Sequence, residues 1–104
     1  MANCIGFGRR IGTGELLSSI KWGCFRAQAR GGLKGCGATI IADCEGTGEW
    51  EGVEEPCACI VFDGSNITPI GWQVLREMLA DLAKEYGQDA IALTTGATEF
   101  IKGV

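Results

Sequence analysis

The spacing of hydrophobic residues predicts one long helix in the second half of the chain. Apolar side chains recur every three to four positions over residues 69–86, with polar side chains between them. Thr68 is suited to cap the N-terminus, Pro69 to the first helical position and Gly87 to the C-terminal stop. The stripe expected to be buried contains Trp72, Leu75, Leu79, Leu82, Ala83 and Tyr86.

Two apolar runs flank this helix and predict strands. The run Cys57–Phe62 is continuous and ends at Asp63, a pattern typical of a central strand buried on both faces. Residues 89–95 predict a second strand. If the two strands are parallel, their crossover should be right-handed.

Residues 24–41 are predicted to form two strands joined by a turn. Residues 24–30 alternate with a period of two, which predicts a strand. Gly31 and Gly32 suit a two-residue hairpin turn, and residues 33–41 would form the returning strand.

The remaining segments give weaker signals. Residues 4–7 predict a short strand, and the glycines Gly6 and Gly8 are interpreted as bulge or turn positions. Residues 15–22 match either a helix or a strand, and we favour a helical turn. Residues 45–56 combine glutamates with glycines and predict a solvated loop.

These elements predict an α+β fold of two layers, with a mixed or antiparallel sheet of four or five strands and one main helix, about 69–86, packed on one face. A chain of 104 residues is expected to form a single domain over residues 1–104. No segment approaches the roughly 20 apolar residues of a membrane span. We therefore expect no membrane association and a cytoplasmic location.

Charge is distributed unevenly along a chain whose net charge is −4. Residues 1–44 are basic and residues 45–104 are acidic, so the halves could attract each other within one domain or between identical chains. Exposed sheet edges add to the expectation of a homodimer or other homo-oligomer. A protein partner is also compatible with the sequence.

A nucleic acid is disfavoured by the net charge, although one basic and aromatic set could bind a single strand: Arg9, Arg10, Lys21, Arg26, Arg30 and Lys34 with Phe7, Trp22 and Phe25.

The loop between the strand at 57–62 and the long helix is the predicted ligand site. It contains Asp63, Ser65, Asn66 and Thr68 at a helix N-terminus, where free N–H groups favour anions. A turn bonded to its own side chains, with Thr68 as helix cap, would explain the same residues without a ligand. The segment 60–66 also resembles the first motif of the PIN/NYN nuclease family, which implies an aspartate, here Asp63, that helps to bind a divalent metal.

Six cysteines raise the question of a metal site. The segments 44–48 and 56–59 together resemble a fragment of the glycine-rich zinc motifs of DnaJ-type proteins, which would make Cys44, Cys57 and Cys59 ligands. Buried structural thiols are the favoured alternative. We therefore predict no metal and no cofactor. The chain contains no histidine, which excludes serine or cysteine hydrolysis with a histidine base.

These residues contain no recognisable set of catalytic groups. The favoured function is therefore a small non-enzymatic interaction or accessory module that acts through a protein surface. The second hypothesis is a metal-dependent hydrolase or nucleic-acid-binding domain centred on the loop from Asp63 to Asn66. The third is a structural zinc-binding protein.

Overall fold

Two helices cover one face of a five-stranded sheet. The computed structural model describes residues 2–103. The sheet order is β2-β3-β1-β4-β5 and every neighbouring pair is antiparallel, which confirms the predicted two-layer α+β class. The elements are β1 (Asn3–Gly8), α1 (Ser19–Gly35), β2 (Thr39–Trp50), β3 (Val53–Asp63), α2 (Pro69–Glu85), β4 (Ile91–Thr94) and β5 (Thr98–Ile101). No helix within residues 2–103 is long and apolar enough to cross a membrane.

The short strand predicted at residues 4–7 is β1, and it lies at the centre of the sheet. β1 pairs with β3 on one side and with β4 on the other, so β3 and β4 run parallel to each other without touching. The first six elements therefore follow the β-α-β-β-α-β order of ferredoxin-like folds, and β5 extends the sheet beyond β4.

The strand β3 is not buried on both faces, contrary to the prediction. Ala58, Ile60 and Phe62 are buried beneath the helices, whereas Cys57 and Cys59 are only half-buried on the other face. Both helices pack on the same side of the sheet, so the apolar run has a covered face and an uncovered one.

The long helix α2 is confirmed almost to the residue. Thr68 Oγ1 accepts a hydrogen bond from Gly71 N at 3.0 Å and caps the helix, and Pro69 is its first residue. The predicted stripe is buried from Leu75 onward, and Trp72 is half-buried at its start.

Residues 24–35 form a helix, and the predicted strand and hairpin turn in this segment are wrong. Four residues at helical spacing are buried, namely Trp22, Phe25, Ala29 and Leu33. This helical pattern determines the structure, and the period-two alternation over residues 24–30 does not. Gly32 lies inside the helix against α2, where an added Cβ would come within 2.5 Å of Met78 Cε. The glycine that suggested a turn instead permits close contact between the two helices.

Residues 45–56 are not a loop but the outer part of the β2–β3 hairpin. The two strands pair from Thr39 and Asp63 out to Trp50 and Val53. The turn is made by Glu51 and Gly52, both with positive φ, as a two-residue hairpin turn requires. This hairpin extends beyond β1 and forms one wall of the site described next.

Candidate active site

The face of the sheet opposite the helices has a floor of small residues. Gly6 in β1 pairs with Cys59 in β3 on one side and with Ala92 in β4 on the other. Gly8 pairs with Cys57 in the next row. Side chains of this size leave the backbone of the central strands accessible.

A cleft of about 460 Å³ opens above this floor. Its walls are the end of the β2–β3 hairpin, the loop after β1 and the segment leading into β4, with Phe100 of β5 at one side. The volume lies within the range of small-molecule sites, roughly 300–1,000 Å³. The lining includes glycines of the floor, charged residues of the rim and one aromatic residue: Gly6, Gly8, Arg10, Gly48, Glu49, Glu51, Glu55, Asp89 and Phe100.

Acidic side chains dominate the rim of the cleft. Glu49, Glu51 and Glu55 come from the hairpin and Asp89 from the segment before β4, and Arg10 is the one basic residue among the lining residues described. Carboxylates gathered around a concave apolar floor attract cations, because the low-polarity walls focus their field.

Glu55 and Gly8 fit against each other at the edge of the floor. The carboxylate of Glu55 occupies the place that a Cβ on residue 8 would take. Burial raises the pKa of the neighbouring Cys57 thiol, and the negative charge of Glu55 raises it further. Glycine at position 8 thus lets the carboxylate lie over the sheet.

Arg10 is held in place by backbone acceptors. Its Nη1 donates to Gly14 O at 2.6 Å, and its Nη2 donates to Glu54 O at 3.5 Å across to the hairpin. Gln88 Nε2 donates to Arg10 O at 3.2 Å. The Nε of Arg10 is buried without an acceptor among residues 2–103.

The loop predicted as the ligand site lies outside this cleft. Asp63 Oδ1 accepts from Ser65 N at 2.9 Å, and this hydrogen bond lowers the pKa of the exposed Asp63 carboxyl. Thr68 caps α2, and Asn66 is exposed beside it. None of the four predicted residues is among those that line the cleft. Ligand binding at this loop stays a prediction.

The cysteines proposed as zinc ligands lie on the uncovered face without forming a metal centre. Cys44 is opposite Cys59, whereas Cys57 is opposite Gly46. Within residues 2–103 no group of three histidine, cysteine, aspartate or glutamate side chains is arranged to hold a metal ion.

The basic and aromatic set suggested for nucleic acid does not form one exposed surface. Phe7, Trp22 and Phe25 are buried and contact one another in the core, with the Phe7 and Phe25 ring centroids 4.4 Å apart. Arg26 and Arg30 bind Asp43, and Arg26 also binds Glu45. Rings buried in the core cannot stack on bases.

The cleft was missed although its floor leaves a signal in the sequence. Gly6 and Gly8 alternate with Ile5 and Phe7, and Gly46 and Gly48 alternate in the same way on β2. Glycines at a period of two lie on one face of a strand, so they mark a floor. The interpretation of Gly6 and Gly8 as turn or bulge positions is wrong, because both lie within β1.

The chain resembles known proteins in structure and not in sequence. No family model matches it, and no curated protein matches it. Solved structures do. A phage SAM lyase in its apo state matches with a TM-score of 0.63 at 13% identity, over 97% of this chain and 87% of that chain. A phage SAM lyase in complex with S-methyl-5'-thioadenosine matches with a TM-score of 0.59 at 12% identity, over 97% and 88%.

This likeness is one of fold, and it corrects the favoured function. The fold is one that an enzyme uses over nearly its whole length, and it contains an acidic cleft here. The prediction of a non-enzymatic interaction module is therefore wrong. It rested on the absence of a recognisable catalytic motif, and a cleft lined by glycines and by carboxylates from separate segments supplies no such motif.

Proposed function

We propose that this chain is a lyase that cleaves S-adenosylmethionine in the cleft on the uncovered face of the sheet. The observation that carries the proposal is the acidic, glycine-floored cleft of about 460 Å³. The similarity of fold to a phage SAM lyase selects this substrate among the cations that such a cleft could bind.

The charges of the cleft complement those of the substrate. S-adenosylmethionine carries a sulfonium, an ammonium and one carboxylate. Glu49, Glu51, Glu55 and Asp89 offer negative charge to the two cationic groups. Arg10 is the basic residue among the described lining residues and can pair with the single carboxylate, since guanidinium and carboxylate form strong charge-assisted hydrogen bonds.

The shape of the floor suits a flat nucleoside. Gly6 and Ala92 present little side-chain bulk, so a planar base can approach the sheet closely at these positions. Phe100 is 55% exposed and lies at the side of the cleft, where its ring can contact a base or the sulfonium methyl group.

The reaction follows from which bond must break. S-adenosylmethionine and S-methyl-5'-thioadenosine share the methyl and adenosyl groups on sulfur, so cleavage occurs between sulfur and Cγ of the amino-acid chain. The bonding electrons move to sulfur, which becomes a neutral thioether. Cγ is then bonded by the substrate's own carboxylate, which gives a lactone, or an alkene forms as Cβ loses a proton to a carboxylate base such as Glu55.

Either route is favoured where the bound substrate displaces water from the floor of the cleft. Closure of the lactone brings an anion and a cation together, and both charges disappear from the product. Low-polarity surroundings stabilise the charged reactants less than water does, so the barrier falls. Neither route requires a histidine, which the chain lacks.

The direct test is incubation of the purified chain with S-adenosylmethionine and chromatography of the products. We expect S-methyl-5'-thioadenosine to accumulate with time and enzyme concentration, together with homoserine lactone or its alkene counterpart. Formation of S-adenosylhomocysteine would instead indicate methyl transfer. A failure to release any S-methyl-5'-thioadenosine beyond the rate in buffer would refute the proposal.

A further inference from the structure

Four of the six cysteines lie together on the uncovered face of the sheet. Cys4 is in β1, Cys44 in β2, and Cys57 and Cys59 in β3. Their side chains project from the face that no helix covers, and Cys44 is exposed. No catalytic role for a thiol enters the proposed lyase reaction, so this arrangement needs its own explanation.

One pair among these cysteines has the geometry of a cross-strand bridge. Cys44 and Cys59 are register partners in the antiparallel ladder between β2 and β3. Such partners have Cα atoms about 4.5–5.5 Å apart, within the roughly 4.4–6.8 Å that a disulfide spans. Both side chains lie on the same face, as a bridge requires.

The other thiols on this face are placed less well. Cys57 is opposite Gly46, and its Sγ lies 3.1 Å from the position that a Cβ on Gly48 would take. Cys4 is opposite Val61, so its backbone is diagonal to Cys59, although the two thiols share a hydrogen bond. Diagonal residues are about 7–8 Å apart, at or beyond the limit for a disulfide.

Cys59 occupies the middle of the cluster. Burial raises the pKa of its thiol, and the proximity of Cys4, a hydrogen bond with Cys4 and the proximity of Cys44 raise it further. A protonated, half-buried thiol reacts slowly with oxidants. The exposed Cys44 is therefore the sulfur that an oxidant meets first.

We propose that Cys44 and Cys59 form a reversible oxidation site for hydroperoxides. The Cys44 sulfur, as thiolate, attacks one peroxide oxygen and breaks the O–O bond, giving a sulfenic acid. The Cys59 sulfur then bonds to the Cys44 sulfur and water leaves. In total two thiols and one hydrogen peroxide give one disulfide and two waters, and a dithiol reductant restores the thiols.

The bridge would alter the site described above. Cys59 lines the cleft and pairs with Gly6 in its floor. A disulfide to Cys44 draws the Cys59 sulfur towards β2 and away from β1. The inference does not depend on the proposed lyase activity, because its test measures the covalent state of the sulfurs alone.

The test is peptide mapping of the whole chain after treatment with hydrogen peroxide and alkylation of the remaining thiols. Combined cleavage after lysine, arginine and glutamate separates segment 35–45, which contains Cys36 and Cys44, from segment 55–76, which contains Cys57 and Cys59. We expect these two segments to be linked, lighter by two hydrogen atoms than their sum, and released by dithiothreitol.

Matched variants assign the link to its sulfurs. Cys44→Ser and Cys59→Ser should lose the linked peptide, whereas Cys36→Ser and Cys57→Ser should retain it. Circular dichroism of each variant, compared with wild type, establishes that it is folded. A link that persists in folded Cys44→Ser, a link from segment 55–76 to Cys4, or oxidation of the wild type without any link would each overturn the inference.

Discussion

Glu55 extends its carboxylate over Gly8, and this contact places a negative charge directly above the floor of the cleft. Its neighbour Glu54 is exposed and does not line the cleft. A comparison of these two adjacent glutamates therefore distinguishes the effect of a charge inside the cleft from the effect of the net charge of the chain.

Replacing Glu55 with glutamine should lower kcat/KM for cleavage of S-adenosylmethionine by about tenfold to a hundredfold, since it removes an anion that binds the cation or accepts its proton. Glu54→Gln is the control and should stay within about twofold of wild type. Steady-state release of S-methyl-5'-thioadenosine measures both. Equal losses in the two variants would mean that Glu55 acts only through the overall charge.

Asp43 joins the sheet to α1 through two arginines. Arg30 Nη1 lies 2.5 Å from Asp43 Oδ2, and Arg26 Nη2 lies 3.1 Å from Asp43 Oδ1. Burial raises the pKa of Asp43, but the hydrogen bonds from Arg30 and Arg26 outweigh it and hold the pKa below its ordinary value. A carboxyl whose pKa is lower in the folded state stabilises the fold above its unfolded pKa, and this stability is lost as the pH falls through the folded pKa.

Asp43→Asn should therefore lower the free energy of unfolding by about 1–2 kcal/mol near pH 7, and the difference from wild type should shrink as the pH falls below about 3.9. Urea unfolding at several pH values measures it. Asp81→Asn, an exposed position on α2, should show little effect at either pH. A difference for Asp43→Asn that grows on acidification would contradict the role given to the ion pairs.

At the scale of elements, α1 shows how glycines mislead a prediction made from sequence. Gly31 and Gly32 adjoin in the helix but have different surroundings. Nothing lies within 4 Å of a Cβ added at Gly31, whereas one at Gly32 would meet Met78. Only the second glycine is required by helix packing.

Gly31→Ala should raise the free energy of unfolding by about 0.5–1 kcal/mol, because alanine loses less backbone entropy than glycine within a helix. Gly32→Ala should gain less or be destabilising, since the Met78 side chain must move. Urea unfolding followed by circular dichroism compares the two variants. Equal stabilisation by both would show that the helices do not pack at Gly32.

An element can be predicted from the sequence when the residues that define it lie close together along the chain. α2 was predicted because its caps and its apolar stripe all lie within residues 68–87. α1 was missed because Phe25 and Ala29 fit a period of four as well as a period of two with Ala27 between them, and only tertiary packing distinguishes the two patterns. The outer hairpin was missed because Glu51 and Gly52 are a less common pair for a turn with two positive φ angles.

At the scale of the whole molecule, the uncovered face of the sheet combines features that no single segment contains. The floor takes Gly6 and Gly8 from β1 and Ala92 from β4, and the acidic rim comes from the hairpin and from Asp89. These parts are far apart in the sequence, so no local pattern reveals the cleft. The loop from Asp63 to Thr68 is contiguous, and it was predicted as the ligand site instead. Self-association of the chain through its sheet edges stays a prediction.

Filling the floor of the cleft tests the location of the proposed activity. A Cβ at Gly6 meets neighbouring atoms only at 4.0 Å, so valine fits the strand there while its side chain projects into the cleft. Gly46 lies on the same face with nothing within 4 Å of an added Cβ, and it is outside the described lining of the cleft. Gly46→Val is therefore the matched control for Gly6→Val.

The decisive measurement is the rate at which wild type, Gly6→Val and Gly46→Val release S-methyl-5'-thioadenosine from S-adenosylmethionine. Activity in the wild type and in Gly46→Val is expected, with a loss of about tenfold or more in Gly6→Val, because misplacing a substrate by about 1 Å can cost a hundredfold in rate. An inactive wild type, or a folded Gly6→Val variant as active as wild type, would contradict the assignment of a lyase site to this face of the sheet.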